Sequence, residues 1–421
     1  MKICIICSYF PPLVGGSETH TFSTVKHLSE KGFDVDVIVD WQNIKSLYFQ
    51  NYDKGVIQKI LAPSYTISEI ENVKIHNIHA HPFSFRTWLN INKKIKEIEK
   101  GGKIDIFDIH HMEYALPLFS QKGKILLSLN FYELTCPFMY FPQKYMPDHF
   151  TLKPSNACFS LRKCVFHQNC VSYVSYMRWR MIRLYGTRKI DKFLVKTPYL
   201  KELMVKNRIS QEKIVLIPYW IDVDSLKKES ENKIRSLIPS VRDSDVIFSF
   251  VGRLDDAKNP LLLLKAFHLL IKQTPHVKLI YIGDGKLRNE LEKASIKYKM
   301  NDKVVFLGRI PHEDLPTYFS IPDVFVHTQR YSNYGWALLE TMGTGKPIIA
   351  TNVGETSDIL IDGYNALLAS STPESLCNKM LKIIEDPKLA NNIGKNALET
   401  VKEKHSMKNL EKYEALLKTM L

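Results

Sequence analysis

The stretch "SNYGWALLETMGTGKP", Ser332 to Pro347, carries one acid, Glu340, inside an apolar, helix-like run that begins just after Gly335. Glycine lets a backbone approach an anion closely, and the start of a helix adds partial positive charge, so the stretch is built like a phosphate-facing turn. Two further strand-to-helix junctions share this character, Gly15-Gly16 and Gly283-Asp284-Gly285. In "VGRLDDAKNP", Arg253 and Lys258 emerge just past an apolar run, where a diphosphate could be gripped. Taken singly, each glycine turn also suits plain chain reversal, and each cation a solvated loop. Together they point to a ligand that carries phosphate.

Such residues need a scaffold to hold them, and hydrophobic periodicity supplies one. "KICIICSYF" reads as a strand buried on both faces, "HTFSTVKHLSEKGF" has helical spacing, and "DVDVIVD" is again a strand. Short apolar runs follow at "VKIHNI", "IDIFDIH" and "KILLSLNF". The second half repeats the alternation more plainly, from "DVIFSFVGRL" and "NPLLLLKAFHLLIKQ" through "VKLIYIGDG", "KVVFLGRI" and "DVFVHT" to "KPIIATN". The pattern predicts an α/β fold of two doubly wound domains, with an irregular, charged hinge over Ile214 to Asp245 and the ligand in a cleft between the domains. The expected boundaries are 1–213 for an N-terminal domain with a cysteine-containing insertion at about 131–175, 214–400 for a C-terminal domain, and 401–421 for a final helix packing back toward the first domain.

The chain's 421 residues exceed what one hydrophobic core usually organises, which also argues for two domains. A net charge of +14 fits nucleic acid, an anionic membrane surface or anionic substrates, and no nucleic-acid-binding module is legible. No apolar run reaches the roughly 18 residues that span a bilayer. "ICIIC" runs into "FPPLVGG" without a small-residue cleavage site, so the expected location is cytoplasmic. Seven cysteines, with Cys4 and Cys7 inside a strand-like run, do not read as a secreted disulfide framework.

"FPPLVGGSETH", "FVGRLDDAKNP", "YIGDGKLRNELEK", "VVFLGRIPHEDLPTYFSIPDVFVH", "GWALLETMGTGKPIIATNVGETSDILIDGYNALL" and "DPKLANNIGKNALETVKEKHS" occur in the order and spacing of glycosyltransferase family 4, which this chain resembles. The resemblance is dense from Val246 to about His405 and sparse in the N-terminal half. It implies the GT-B architecture, two Rossmann-like doubly wound domains facing a central cleft, with a nucleotide diphosphate sugar as donor held mainly by the C-terminal domain. It further implies transfer with retention of anomeric configuration and no required metal or cofactor. On the matching positions, Gly15 and Gly16 would meet the donor diphosphate, and Arg253 and Lys258 would neutralise the leaving nucleotide. Gly335, Trp336, Ala337, Leu338 and Leu339 would open the helix toward phosphate, with Gly283 and Gly285 as a further glycine turn. Glu340 would hold the ribose hydroxyls, and the backbone of Leu307 to Ile310, with Arg309, would rim the base.

Two positions depart from the family pattern. Ser332 stands where a second acid is usual near the donor sugar, and Asn130 where a histidine often contacts its anomeric region. Serine brings no negative charge and asparagine carries no proton, so either change alters donor handling. His110 and His111, ending the preceding strand, could take over part of that role or simply pack there. Asp222-Val-Asp224 has the form of a metal-binding DxD but lies in the hinge and is read as a turn.

Cys136, Cys158, Cys164 and Cys170, with His167 nearby, could form a structural zinc site, although their gaps are wider than CxxC pairs and ordinary thiols fit as well. "YVSYMRWRMIRLYGTRK" and "FSFRTWLNINKKIKEIEK" mix cations with aromatic and aliphatic residues, as in helices that lie on anionic membranes or face a core. The expected function is a retaining hexosyltransferase acting on a lipid-linked glycan or similar acceptor, peripheral on the cytoplasmic membrane face. The other readings are a non-catalytic sugar-nucleotide-binding subunit of a glycosyltransferase complex and a nucleotide-sugar epimerase of the same fold.

Overall fold

Continuous apolar runs become the inner strands of two parallel sheets in the computed structural model, which describes residues 1–7, 10, 16–39, 72–78, 85–110, 122–129, 187–226, 242, 244–330 and 335–421. Among these residues, one compact unit holds those from Met1 to Tyr219 together with Lys408–Leu421, and the other holds Trp220–Met407.

In the first unit, strands β1 (Lys2–Cys7), β2 (Asp34–Val39), β3 (Val73–Asn77), β4 (Ile106–His110), β5 (Lys124–Leu129), β6 (Lys192–Val195) and β7 (Ile214–Leu216) form a parallel sheet in the order β3-β2-β1-β4-β5-β6-β7. The order reverses between β1 and β4, where Ile3 pairs with Ile106 and Cys7 with His110. Three described helices follow strands of this sheet: α1 (Gly16–Glu30), α2 (Phe85–Glu99) and α3 (Pro198–Lys206). Thr197 starts α3 by accepting the Leu200 amide at 3.0 Å, and Pro198 fits the first turn because no hydrogen bond is asked of its nitrogen. Ile214–Leu216, expected to open an irregular hinge, is instead the edge strand of this sheet. Ile214 is buried and pairs with Phe193, and the Ile217 amide extends the ladder to the Val195 carbonyl at 3.0 Å.

The second unit contains β8 (Val246–Val251), α4 (Pro260–Leu270), β9 (Val277–Ile282), α5 (Arg288–Lys297), β10 (Val304–Gly308), α6 (Leu315–Phe319), β11 (Val324–His327), α7 (Trp336–Gly343), β12 (Ile348–Thr351), β13 (Leu367–Ala369), α8 (Pro373–Glu385) and α9 (Pro387–Lys404). Its parallel sheet runs β10-β9-β8-β11-β12-β13, reversing between β8 and β11. All six residues of β9 are buried, the signature of a strand covered on both faces, and its Leu279 and Tyr281 share one core cluster with Phe248 of β8 and Phe267 of α4.

The last helix, α10 (Lys408–Thr419), belongs to the first unit. His27 of α1 meets its Glu414 at 3.0 Å, and the Tyr413 hydroxyl donates to Asp108 of β4 at 2.6 Å. The chain therefore finishes on the sheet where it began.

Candidate functional site

In an open parallel sheet the loops after neighbouring strands part where the strand order reverses, and the gap they leave at the carboxyl ends takes a ligand. In the second unit that point lies between β8 and β11. The loop after β8 is organised by Asp255. Its Oδ2 accepts the Arg253 Nε at 2.8 Å, its Oδ1 the Lys258 amide at 3.0 Å, and its backbone carbonyl the Asn259 amide at 2.9 Å. Asn259 adopts the left-handed conformation, φ 50°, that asparagine tolerates, and Pro260 then opens α4.

Lys258 spans the reversal. Its Nζ donates to Gln329 Oε1, just past β11, at 2.7 Å, while the Arg330 amide reaches back to the Ala257 carbonyl at 3.0 Å. The Thr328 hydroxyl, 3.0 and 2.9 Å from the carbonyl oxygens of Lys258 and Asn259, ties the two loops further. Burial, reinforced by the Arg253 charge and opposed by Asp255, lowers Lys258 to about 8. Two cations held side by side, one of them partly desolvated, favour an arriving anion.

Helix α7 begins beside them. A β-carbon on Gly335 would sit 3.7 Å from Lys258 Nζ, so the ammonium lies against the helix start. Trp336, Leu338 and Leu339 are buried, and the Leu338 amide donates to the Gly335 carbonyl at 3.0 Å. The Leu338 amide, one of the helix-start amides expected to face phosphate, is thus donated within the helix. One turn on, buried Glu340 holds His312 Nε2 on its Oε1 at 2.6 Å. Burial opposes charge on His312, but the hydrogen bond and charge of Glu340 outweigh it and raise the imidazole above its ordinary value. The carboxylate keeps further lone pairs for ligand hydroxyls. Thr341 gives its hydroxyl proton to a carbonyl of α7, Ala337 at 2.9 Å or Leu338 at 3.0 Å, so it accepts from His327 Nε2 at 2.8 Å. Burial and then the Lys258 charge push His327 down to about 3, leaving it a neutral strut between β11 and α7.

Gly283 and Gly285 have a different reason to be glycine. A β-carbon on Gly283, whose φ is +135°, would stand 2.0 Å from the Gly252 carbonyl oxygen, and one on Gly285 2.5 Å from that of Leu254. Their amides donate to the Gly308 carbonyl at 2.8 Å and to Asp284 Oδ1 at 2.7 Å. The anion-facing role expected of these two amides is replaced by close packing of the β8 and β9 loops. Arg309 stands half-buried just past β10.

In the first unit, Gly16 is the exposed first residue of α1. His110 ends β4 buried, its Nε2 2.9 Å from Asp108 Oδ2. Asp222 Oδ1, in the second unit, accepts the amides of Asp224 at 3.0 Å and Ser225 at 3.3 Å, the bonds of a turn. On α2, Ile91, Ile95 and Ile98 face the core while Leu89 is exposed. Of the two readings of this stripe, membrane surface or core, these three isoleucines take the core.

Gly15, Asn130, Ser332, His111, Cys136, Cys158, Cys164, Cys170 and His167 lie outside the described residues, as does 173–186. Among the described residues no cluster of three metal-ligating side chains occurs, and no helix is long and apolar enough to cross a membrane. His312, Gln329 and His327 are the site residues that sequence reading missed.

Residues 235–400 match the family model described as Glycosyl transferases group 1. The chain is 23% identical to the uncharacterized glycosyltransferase MJ1069 of Methanocaldococcus jannaschii, over 100% of this chain and 99% of that one. It is 27% identical to a UDP-Gal:alpha-D-GlcNAc-diphosphoundecaprenol alpha-1,3-galactosyltransferase of Escherichia coli, over 47% of this chain and 51% of that one. The crystal structure of Anabaena Alr3699/HepE in complex with UDP-glucose superposes with a TM-score of 0.72 at 16% identity, covering 100% of both chains. The fold is GT-B, with two Rossmann-like parallel-sheet domains. The family match and the relatives support a glycosyltransferase.

Proposed function

We propose that this chain transfers a sugar from a nucleoside diphosphate sugar to a lipid-linked glycan or related acceptor, with retention of anomeric configuration and without a metal. The observation that carries the reading is the Arg253–Lys258 pair at the reversal of the second sheet, with Lys258 against the start of α7 and Glu340 one turn inside it. When the bond from the anomeric carbon to the diphosphate oxygen breaks, the electron pair stays on the diphosphate. Fixed cations and a helix start lower the energy of that charge more in the transition state than in the ground state. Glu340, held by His312, accepts hydrogen bonds from the ribose hydroxyls. Arg309 and the end of β10 rim the base.

A uridine donor is the first to test, because the Anabaena neighbour binds UDP-glucose. A diphosphate-linked polyprenol acceptor has support from the Escherichia coli relative, and the net charge of +14 suits an acceptor presented at an anionic membrane surface. The test is incubation of the chain with UDP-, GDP- and ADP-sugars together with undecaprenyl-diphosphate-linked sugars. Release of nucleoside diphosphate with extension of the lipid-linked sugar supports the reading, and no release from any pair sinks it.

A further inference from the structure

The first unit has its own reversal of strand order, between β1 and β4, and a buried polar cluster sits at its carboxyl end. Asp108 and His110 both point from β4, two residues apart and therefore on one face of the strand. Asp108 is fully buried. Its Oδ2 receives His110 Nε2 at 2.9 Å and the Tyr413 hydroxyl of α10 at 2.6 Å, and its Oδ1 receives the Ser128 hydroxyl of β5 at 2.7 Å. Burial works against a charged Asp108, but His110 and the Tyr413 and Ser128 hydroxyls outweigh it and hold the carboxyl below its usual range. Lys196, just past β6, is buried, and burial lowers it to about 7 against the opposing charge of Asp108.

An ionised carboxylate only accepts, so every one of these contacts is donated to it. The His110 proton therefore sits on Nε2. In the neutral ring that leaves Nδ1 as a lone pair, and Nδ1 is buried with no hydrogen-bond partner among the described residues. A buried polar atom left unpaired is costly, and its retention calls for an occupant. The ring of His20, on α1, lies 6.5 Å from that of His110 at 53°, a tilted ring contact that does not supply Nδ1 with a hydrogen bond.

We propose that Asp108, supported by Tyr413 and Ser128, is a positioning residue that locks His110 with its proton on Nε2, so that Nδ1 accepts a hydrogen bond from a substrate hydroxyl. The hydroxyl contact rests on the glycosyltransferase reading; the locked ring does not.

The test is long-range 1H–15N NMR of the full chain labelled in histidine, with the His110 signal assigned by its loss in His110→Gln, alongside steady-state kinetics. The wild type is expected to show the Nε2–H tautomer. Asp108→Ala is expected to populate both tautomers and to lower kcat about tenfold, with donor KM within about threefold. Asp108→Asn is expected to keep the wild-type tautomer and most of the turnover, because its amide oxygen can face His110 and Tyr413 while its N–H donates to Ser128. An Nδ1–H ring in the wild type overturns the proposal whatever the activity, as does a tautomer unmoved by Asp108→Ala. If Asp108→Ala does not fold, the wild-type spectrum and Asp108→Asn decide alone. The predicted tautomer in a protein that transfers no sugar overturns the functional reading instead.

Discussion

His312 Nε2 lies 2.6 Å from Glu340 Oε1, joining the short turn that follows β10 to helix α7. The contact holds Glu340 in one orientation, and it makes the site sensitive to pH. The folded-state pKa of His312 is raised, so the stabilisation it brings is fully present below the unfolded value of about 6.5 and is lost as pH rises through the raised folded value. Thermal unfolding of wild type and His312→Gln between acidic and mildly alkaline pH should therefore show the largest gap in Tm at the acid end, narrowing as pH climbs. A gap that widens with pH would reverse the sign assigned here.

Lys258 must be charged to meet a diphosphate, and its pKa is lowered to about 8 by burial and by Arg253. Affinity for nucleoside diphosphates should hold steady in neutral solution and fall as pH passes through about 8, with proton uptake on binding near that pH. Calorimetry in buffers of different ionisation enthalpy measures the uptake directly. Affinity that stays flat to pH 9.5 would remove Lys258 from the anion site.

Glu340→Ala should weaken ribonucleotide binding by roughly 10- to 100-fold, the value of a hydrogen bond to a charged group. Nucleotides lacking the ribose hydroxyls should bind mutant and wild type alike. Equal losses for both nucleotide types would show that the substitution acts through packing of α7 and not through the ribose.

Gly283→Ala places a β-carbon 2.0 Å from the Gly252 carbonyl oxygen at a backbone φ of +135°. Overpacking and backbone strain together should cost about 2–5 kcal/mol, visible as a lower midpoint in urea. An unchanged midpoint would mean that the β8 and β9 loops part at little cost.

The two-sheet architecture was readable because strands covered on both faces need near-continuous apolar runs, and "ICIIC", "VIFSFV" and "LIYI" are such runs. Ile214–Leu216 was not, since a three-residue edge strand offers too short a pattern to stand out from the loop that follows it. At the site, Lys258 stood out as a cation just past a strand and Glu340 as the one acid of its stretch, while the ribose role proposed for Glu340 came only from the resemblance to glycosyltransferase family 4. Their partners were not legible, because His312 lies 28 positions from Glu340 and Gln329 71 from Lys258, distances at which only the fold brings side chains together. Tyr413 and Asp108 are 305 positions apart and illustrate the same limit. The glycines at 283 and 285 were visible but misread: the crowding that requires them comes from the Gly252 and Leu254 backbone, which no local pattern announces.

The most direct test of the donor site is isothermal titration of the chain with UDP, GDP and ADP, repeated on Lys258→Met. Binding of at least one nucleotide by the wild type, weakened roughly 10- to 100-fold in Lys258→Met, is the predicted result. No binding to the wild type, or binding that Lys258→Met leaves intact, would contradict the placement of the diphosphate between β8 and β11.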